Sequence, residues 1–150
     1  MIHTLKKEQV LPVTLKQAWD FFATPRNLNL ITPDDLQFRI ISELPEKMYR
    51  GQLICYLISP YSFIKLNWVT EISEIEENRY FIDRQLVGPY KLWHHQHHFE
   101  EIAEGVRMTD ILHFAMPFGI FGKLAYYFSV RKKLDHIFNY RQRKLAEIFG

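Results

Sequence analysis

An α+β fold, a curved antiparallel sheet holding a long C-terminal helix, is predicted by three features of the sequence. From Leu36 to about Gly119 the chain breaks into short alternating runs separated by turn residues, the period of strands. After Pro117 and Gly119 the spacing becomes helical as far as the last residues. The strand block and the helix block are segregated, which argues against the alternating units of a parallel sheet. A chain of 150 residues suits one domain spanning 1–150.

The elements follow in order. Ile2 to Leu11 mixes β-branched and charged residues and ends at Pro12, as an edge strand does. Thr14 stands three residues before Gln17 in a capping-box arrangement, and Leu15, Ala18, Trp19 and Phe22 follow at helical spacing. Pro25 after Thr24 opens a second short helix over Arg26 to Leu30, stopped by Pro33. The runs LQFRIISEL, QLICYLISPYSF, IKLNWVTEISEI, RYFIDRQLV, KLWHHQHHFEEI and VRMTDILHFAM then read as a meander joined by short turns. Leu124, Phe128, Leu134, Phe138, Leu145 and Ile148 mark one face of the final helix, and that stripe is expected to lie against the sheet.

Composition narrows the function classes. With 12 Phe, 8 Tyr and 3 Trp, the chain has enough rings to fill a core or line a cavity. A net charge of +2, spread evenly, lacks the basic stripe that nucleic acid requires. The lone Cys55, set in QLICYLI, reads as a buried structural thiol in a reducing compartment, so a cytoplasmic location is expected. No apolar run approaches the roughly 20 residues of a bilayer span, and no stable membrane insertion is expected.

Specific segments, PRNLNLITP, GPYKLWHHQHHFEE, TDILHFAMPFG and VRKKLDHIFNYRQRKL, resemble the START-like or SRPBCC superfamily (Bet v 1-like, polyketide cyclase-like). Within it they are similar to a bacterial subgroup often labelled cell division inhibitor-like. The resemblance covers nearly the whole chain. It implies a helix-grip fold of seven antiparallel strands around the C-terminal helix, with two short helices after the first strand. It also implies a cavity between sheet and helix for a hydrophobic small molecule or lipid. A cyclase- or dehydratase-like enzyme, or a protein-interaction module, are the alternatives.

Strand alternation supplies the site candidates. Trp93, His95, His97 and Phe99 share one side of a strand, and Val106, Met108, Asp110, Leu112, Phe114 and Met116 share one side of the next. Both sets read as inward. With the turn centred near Ala103-Glu104, His97 falls opposite Asp110 and His95 opposite Leu112; a slip of two residues substitutes Phe99 for His97. A buried carboxylate needs a partner, and His97, His95, Arg141 or Arg131 can supply one, with Arg141 preferred. Trp68 belongs to an inward set with Ile64, Leu66, Thr70 and Ile72.

The expected ligand-binding set is Trp68, Trp93, His95, His97, Phe99, Met108, Asp110, Leu112, Phe114 and Arg141, with Gln85 added because Asp83 and Gln85 resemble a subgroup pattern in which polar residues approach the same pocket. His95, His97 and Asp110 are the candidates for acid–base work. Periodicity leaves open which way Asp83 and Gln85 point, because Tyr80, Ile82 and Leu86 on the other side are equally apolar. His95, His97 and Asp110 also form a possible metal set, but a hydrogen-bonded polar pair accounts for them, and no metal and no cofactor is expected. Tyr61, Phe63 and Phe118 are expected to rim the cavity mouth, and His94 and His98 to face solvent.

Overall fold

The computed structural model describes residues 1–150. The strands are β1 (His3–Leu11), β2 (Arg39–Ile40), β3 (Leu53–Tyr61), β4 (Ile64–Glu76), β5 (Tyr80–Val87), β6 (Leu92–Ile102) and β7 (Gly105–Ala115). They form one antiparallel sheet in the order β1-β7-β6-β5-β4-β3-β2. Helix α1 (Leu15–Phe22) and the 3₁₀ stretches Pro25–Ile31 and Asp34–Leu36 carry the chain from one edge of the sheet to the other. α2 (Gly119–Ala125), a wider π turn (Tyr126–Val130) and α3 (Arg131–Phe149) make up the C-terminal helix. This is the helix-grip architecture.

Local chemistry fixes the entry to α1. Thr14 accepts from the Gln17 amide at 3.2 Å and Gln17 Oε1 accepts from the Thr14 amide at 3.0 Å, completing the capping box. The helix buries Ala18, Trp19 and Phe22 against β6 and β7.

Three expectations change. The run LQFRIISEL gives a strand of only Arg39–Ile40, because Leu36 closes a 3₁₀ turn and Gln37 takes a left-handed conformation with φ 48°. Beyond it, Ile41 and Ser42 both donate to the Cys55 carbonyl and Ser42 Oγ accepts from the Cys55 amide, so a side chain replaces the ladder. Cys55 itself is half-buried. The helix stripe also splits: Leu134, Phe138, Arg141 and Leu145 are buried, whereas Leu124, Phe128 and Ile148 are exposed. The π turn takes an extra residue per turn, so the face carrying Leu124 and Phe128 does not continue the face after it, while Ile148 lies in the last turn of α3.

The core falls into two apolar parts. Leu11, Ala18, Trp19, Phe22, Ile31, Phe81, Phe99, Val106, Met108 and Leu145 pack under α1. Leu112, Phe114, Leu134 and Phe138 pack at the other end. On β7, Asp110 lies between Met108 and Leu112; on α3, Arg141 lies between Phe138 and Leu145. A polar layer therefore separates two apolar ones.

Candidate functional site

The polar layer is assembled by strand register. β6 and β7 pair His97 with Asp110 and His95 with Leu112, while β5 and β6 pair Asp83 with His95 and Phe81 with His97. Alternation sends Asp83, His95, His97 and Asp110 to the same face, where Arg141 descends from α3. Asp110 is 2% exposed.

One carboxylate oxygen, Asp110 Oδ1, gathers three groups. His95 Nε2 donates to it at 3.1 Å, Arg141 donates at 3.3 Å, and His97 Nδ1 lies 3.0 Å away without an aligned hydrogen bond. On the other side of the two rings, His97 Nε2 donates to Asp83 Oδ2 at 2.6 Å, and His95 Nδ1 stands 3.7 Å from the same oxygen. The imidazoles thus lie between two carboxylates, with ring centres 3.9 Å apart. Phe81 stacks on His97 at 4.2 Å.

Charge and burial set the protonation states. Burial alone pushes the Asp110 carboxyl up, but Arg141 and the two histidines outweigh it and hold the group well below the usual range. Asp83 is likewise lowered: burial opposes, and His97, His95 and Arg141 prevail. The histidines diverge. Burial and the neighbouring His97 lower His95, whereas in His97 the two carboxylates, Asp110 at 3.0 Å and Asp83 through its hydrogen bond, overcome burial and raise it. With His97 protonated and His95 neutral, two carboxylates balance one imidazolium and one guanidinium, which is how four charged groups share a buried layer.

Two adjoining cavities open off this layer. The larger, about 190 Å³, lies between β3–β6 and α3 and is walled by Tyr56, Trp68, Tyr90, Trp93, Leu134 and Phe138. The smaller, about 90 Å³, lies under the 3₁₀ stretch beside Phe22, Ile31, Ile54 and Ile72. Asp83, His97, Arg141, Tyr56 and Leu28 line both. Trp68 Nε1 donates to Thr70 Oγ1 at 3.0 Å, and Tyr56 shares that hydroxyl at 3.1 Å, so the aromatic wall is internally satisfied. Burial, with Asp83 nearby, raises Tyr56 and keeps it neutral.

Of the eleven residues expected at the ligand, the structure brings Trp68, Trp93, His95, His97 and Arg141 to the cavity walls. Asp110 stands behind the histidines. Phe99 and Met108 are packed under α1, and Leu112 and Phe114 against α3, so inward-facing residues at both ends of the strands are core, not wall. Gln85 uses both amide atoms on the Tyr90 backbone, at 2.7 and 3.1 Å, and so braces the Gly88-Pro89 turn. Arg131, the other arginine considered, is exposed, and His94 and His98 lie half-buried on the outer face. Asp83 is the polar wall residue that alternation alone did not single out; the signal was its pairing opposite His95, visible only once β5 has a register.

No protein-family model and no curated protein matches the sequence. Solved structures do match its shape. Protein CV1439 from Chromobacterium violaceum aligns with a TM-score of 0.70 at 12% identity, covering 97% of this chain and 96% of its own. Protein Ms6760 from Mycobacterium smegmatis gives 0.66 at 16%, covering 97% and 92%. Ara h 8.0201 gives 0.61 at 16%, covering 98% and 99%. The chain therefore shares the fold of these structures, a Bet v 1-like helix-grip architecture.

Proposed function

We propose that the domain holds a small apolar molecule in the paired cavities, with one polar end of that molecule at Asp83, His97 and Arg141. The observation that carries this reading is the buried Arg141 Nε, a donor with no partner, on a side chain that lines both cavities. An unsatisfied buried donor is costly, and an acceptor oxygen on a ligand would relieve it. His95 Nδ1 adds an acceptor once its Nε2 donates to Asp110. The larger cavity exceeds the roughly 150 Å³ that suffices to hold benzene in an engineered apolar cavity, so a ring or short chain fits. Cytoplasmic residence and the absence of a required metal remain part of this reading.

A second reading, acid–base catalysis at the same place, is supported by the divergence of the two histidines. One imidazole poised to donate beside one poised to accept is the arrangement by which a site runs both halves of a proton transfer.

Asp83→Asn tests the first reading, because Asp83 lines both cavities while Asp110 supports the rings from behind. Titration calorimetry with a medium-chain fatty alcohol should lose about 1–3 kcal/mol, the scale of a hydrogen bond to a charged group. Affinity for the corresponding hydrocarbon should stay within experimental scatter. Equal binding of both compounds by parent and variant would remove the polar-end assignment. Recovery of a chemically altered compound after incubation would favour the enzyme.

A further inference from the structure

At one end of the molecule the chain leaves large apolar side chains in water. Phe118 is 81% exposed, Phe121 75%, Phe128 77% and Phe63 83%, with Ile120, Leu124 and Tyr127 beside them on α2 and the π turn. Isolated exposed apolar residues are ordinary, but a contiguous group of this kind marks a contact surface. Ile120, Phe121, Leu124, Tyr127 and Phe128 follow helical spacing and form one stripe. Phe63 joins it from the β3–β4 turn: it stacks near Tyr61, whose hydroxyl is hydrogen-bonded to Ser129 and whose ring lies under Lys133 at 5.0 Å. Phe118 is held at φ +65°, a conformation that bulky residues rarely adopt, and it gains no packing there.

Charge identifies the occupant. From Met116 to Leu134 the chain carries Lys123, Arg131, Lys132 and Lys133 and no acid, Lys133 alone lying near a carboxylate, Asp35 at 4.0 Å; Lys65 at the start of β4 and Lys91 in the turn before β6 add two more cations. A second copy docked through the same patch would set these cations against their own counterparts, which disfavours self-association. Exposed rings with Ile120 and Leu124 on one helix face, flanked by lysine and arginine, match instead the interface of an anionic bilayer.

We propose that α2, the π turn and the β3–β4 turn together form a docking surface for an anionic lipid membrane, bound peripherally. The surface borders the larger cavity, since Pro60 and Lys133 belong to the cavity wall and flank Tyr61 and the π turn. Docking stands on the surface alone; passage of an apolar molecule between bilayer and cavity rests on the ligand-holding reading above.

Vesicle flotation separates the two. The protein should float with phosphatidylcholine–phosphatidylglycerol vesicles, much less with phosphatidylcholine alone, and progressively less as salt rises. The double variant Phe121→Ser/Phe128→Ser should lose roughly tenfold or more in vesicle affinity, because each removed ring gives up apolar burial in the interface. Lys123→Glu/Lys132→Glu should lose affinity for the anionic vesicles only. Anilinonaphthalene sulfonate bound by the Phe121→Ser/Phe128→Ser variant without vesicles, and displaced by a medium-chain fatty alcohol, reports on the cavity and not on the exposed rings: absence of such displaceable binding would remove the ligand reading and leave docking intact. Failure of the parent to float with either vesicle, or equal flotation by the ring variant, would overturn the docking surface. A patch-dependent dimer in sedimentation velocity would replace the membrane with a second copy.

Discussion

The C-terminal helix is two surfaces joined by one turn. In α3 the apolar residues Leu134, Phe138 and Leu145 are buried and even Arg141 is drawn inside, whereas in α2 and the π turn Phe121, Leu124 and Phe128 stand in water. Both halves carry the same helical spacing. The contrast teaches that hydrophobic periodicity specifies a face but not its cover: the cover is decided by where the sheet ends and by the phase shift at Tyr126–Val130.

The largest expected effect is on the buried half. Arg141→Ala leaves Asp110 inside the protein without its guanidinium and should lower stability by about 3–5 kcal/mol in urea unfolding, the penalty of breaking a buried pair from one side. Leu145→Ala, at a fully buried position, should lose about 2–5 kcal/mol by the same measurement. If either variant unfolded at the parent's midpoint, α3 would not grip the sheet as described.

The polar layer makes the buried half sensitive to pH. Asp110 and Asp83 have lowered folded pKa values, so their contribution is present above the ordinary 3.8 and disappears as pH falls through the depressed values. His97 has a raised folded pKa; its contribution is complete below 6.5 and disappears as pH rises through the raised value. His95 is lowered, so protonation of the unfolded chain below 6.5 works against folding. The terms from this layer together place its greatest stabilisation close to the ordinary histidine value. Unfolding free energies measured across acid to mildly alkaline pH should show that maximum, and Asp110→Asn should flatten it. A parent profile without it would mean that the layer is not ionised as assigned.

The exposed half should barely respond. Phe128→Ser is expected to change stability by no more than about 0.5 kcal/mol, as for surface positions without partners. The smallest effect is expected from chelation. Asp83, His95 and His97 bring possible ligand atoms within 4.8 Å of one another, yet the layer is already balanced by Arg141 and a proton. A chelator should leave the melting temperature unchanged, since a metal bound only to the folded state would have raised it. A fall in melting temperature would bring the metal alternative forward.

Much of this was legible in the residues. Thr14-Gln17 declared its helix, the β6–β7 alternation declared Asp110 inward, and the turn at Ala103-Glu104 gave the observed register. What escaped reading depended on tertiary partners. Phe99, Met108, Leu112 and Phe114 face inward as expected, but whether an inward ring meets packing or open space depends on α1 and α3 lying over it. Asp83 was ambiguous because β5 is nearly as apolar on its outer side, and only pairing with His95 resolves it. The exposed stripe was invisible because sequence spacing does not register a π turn.

Gly122 adds a mechanical consequence. A methyl group there would meet the Pro117 carbonyl oxygen at 1.8 Å and Met116 Cβ at 3.0 Å, so α2 seats on the end of β7 only because position 122 has no side chain. The contact works as a fulcrum. Gly122→Ala would lift α2 from its seat while Tyr61 and Ser129 still tether the π turn, and so tilt Ile120, Phe121 and Leu124 relative to Phe63 with the sheet and its polar layer undisturbed.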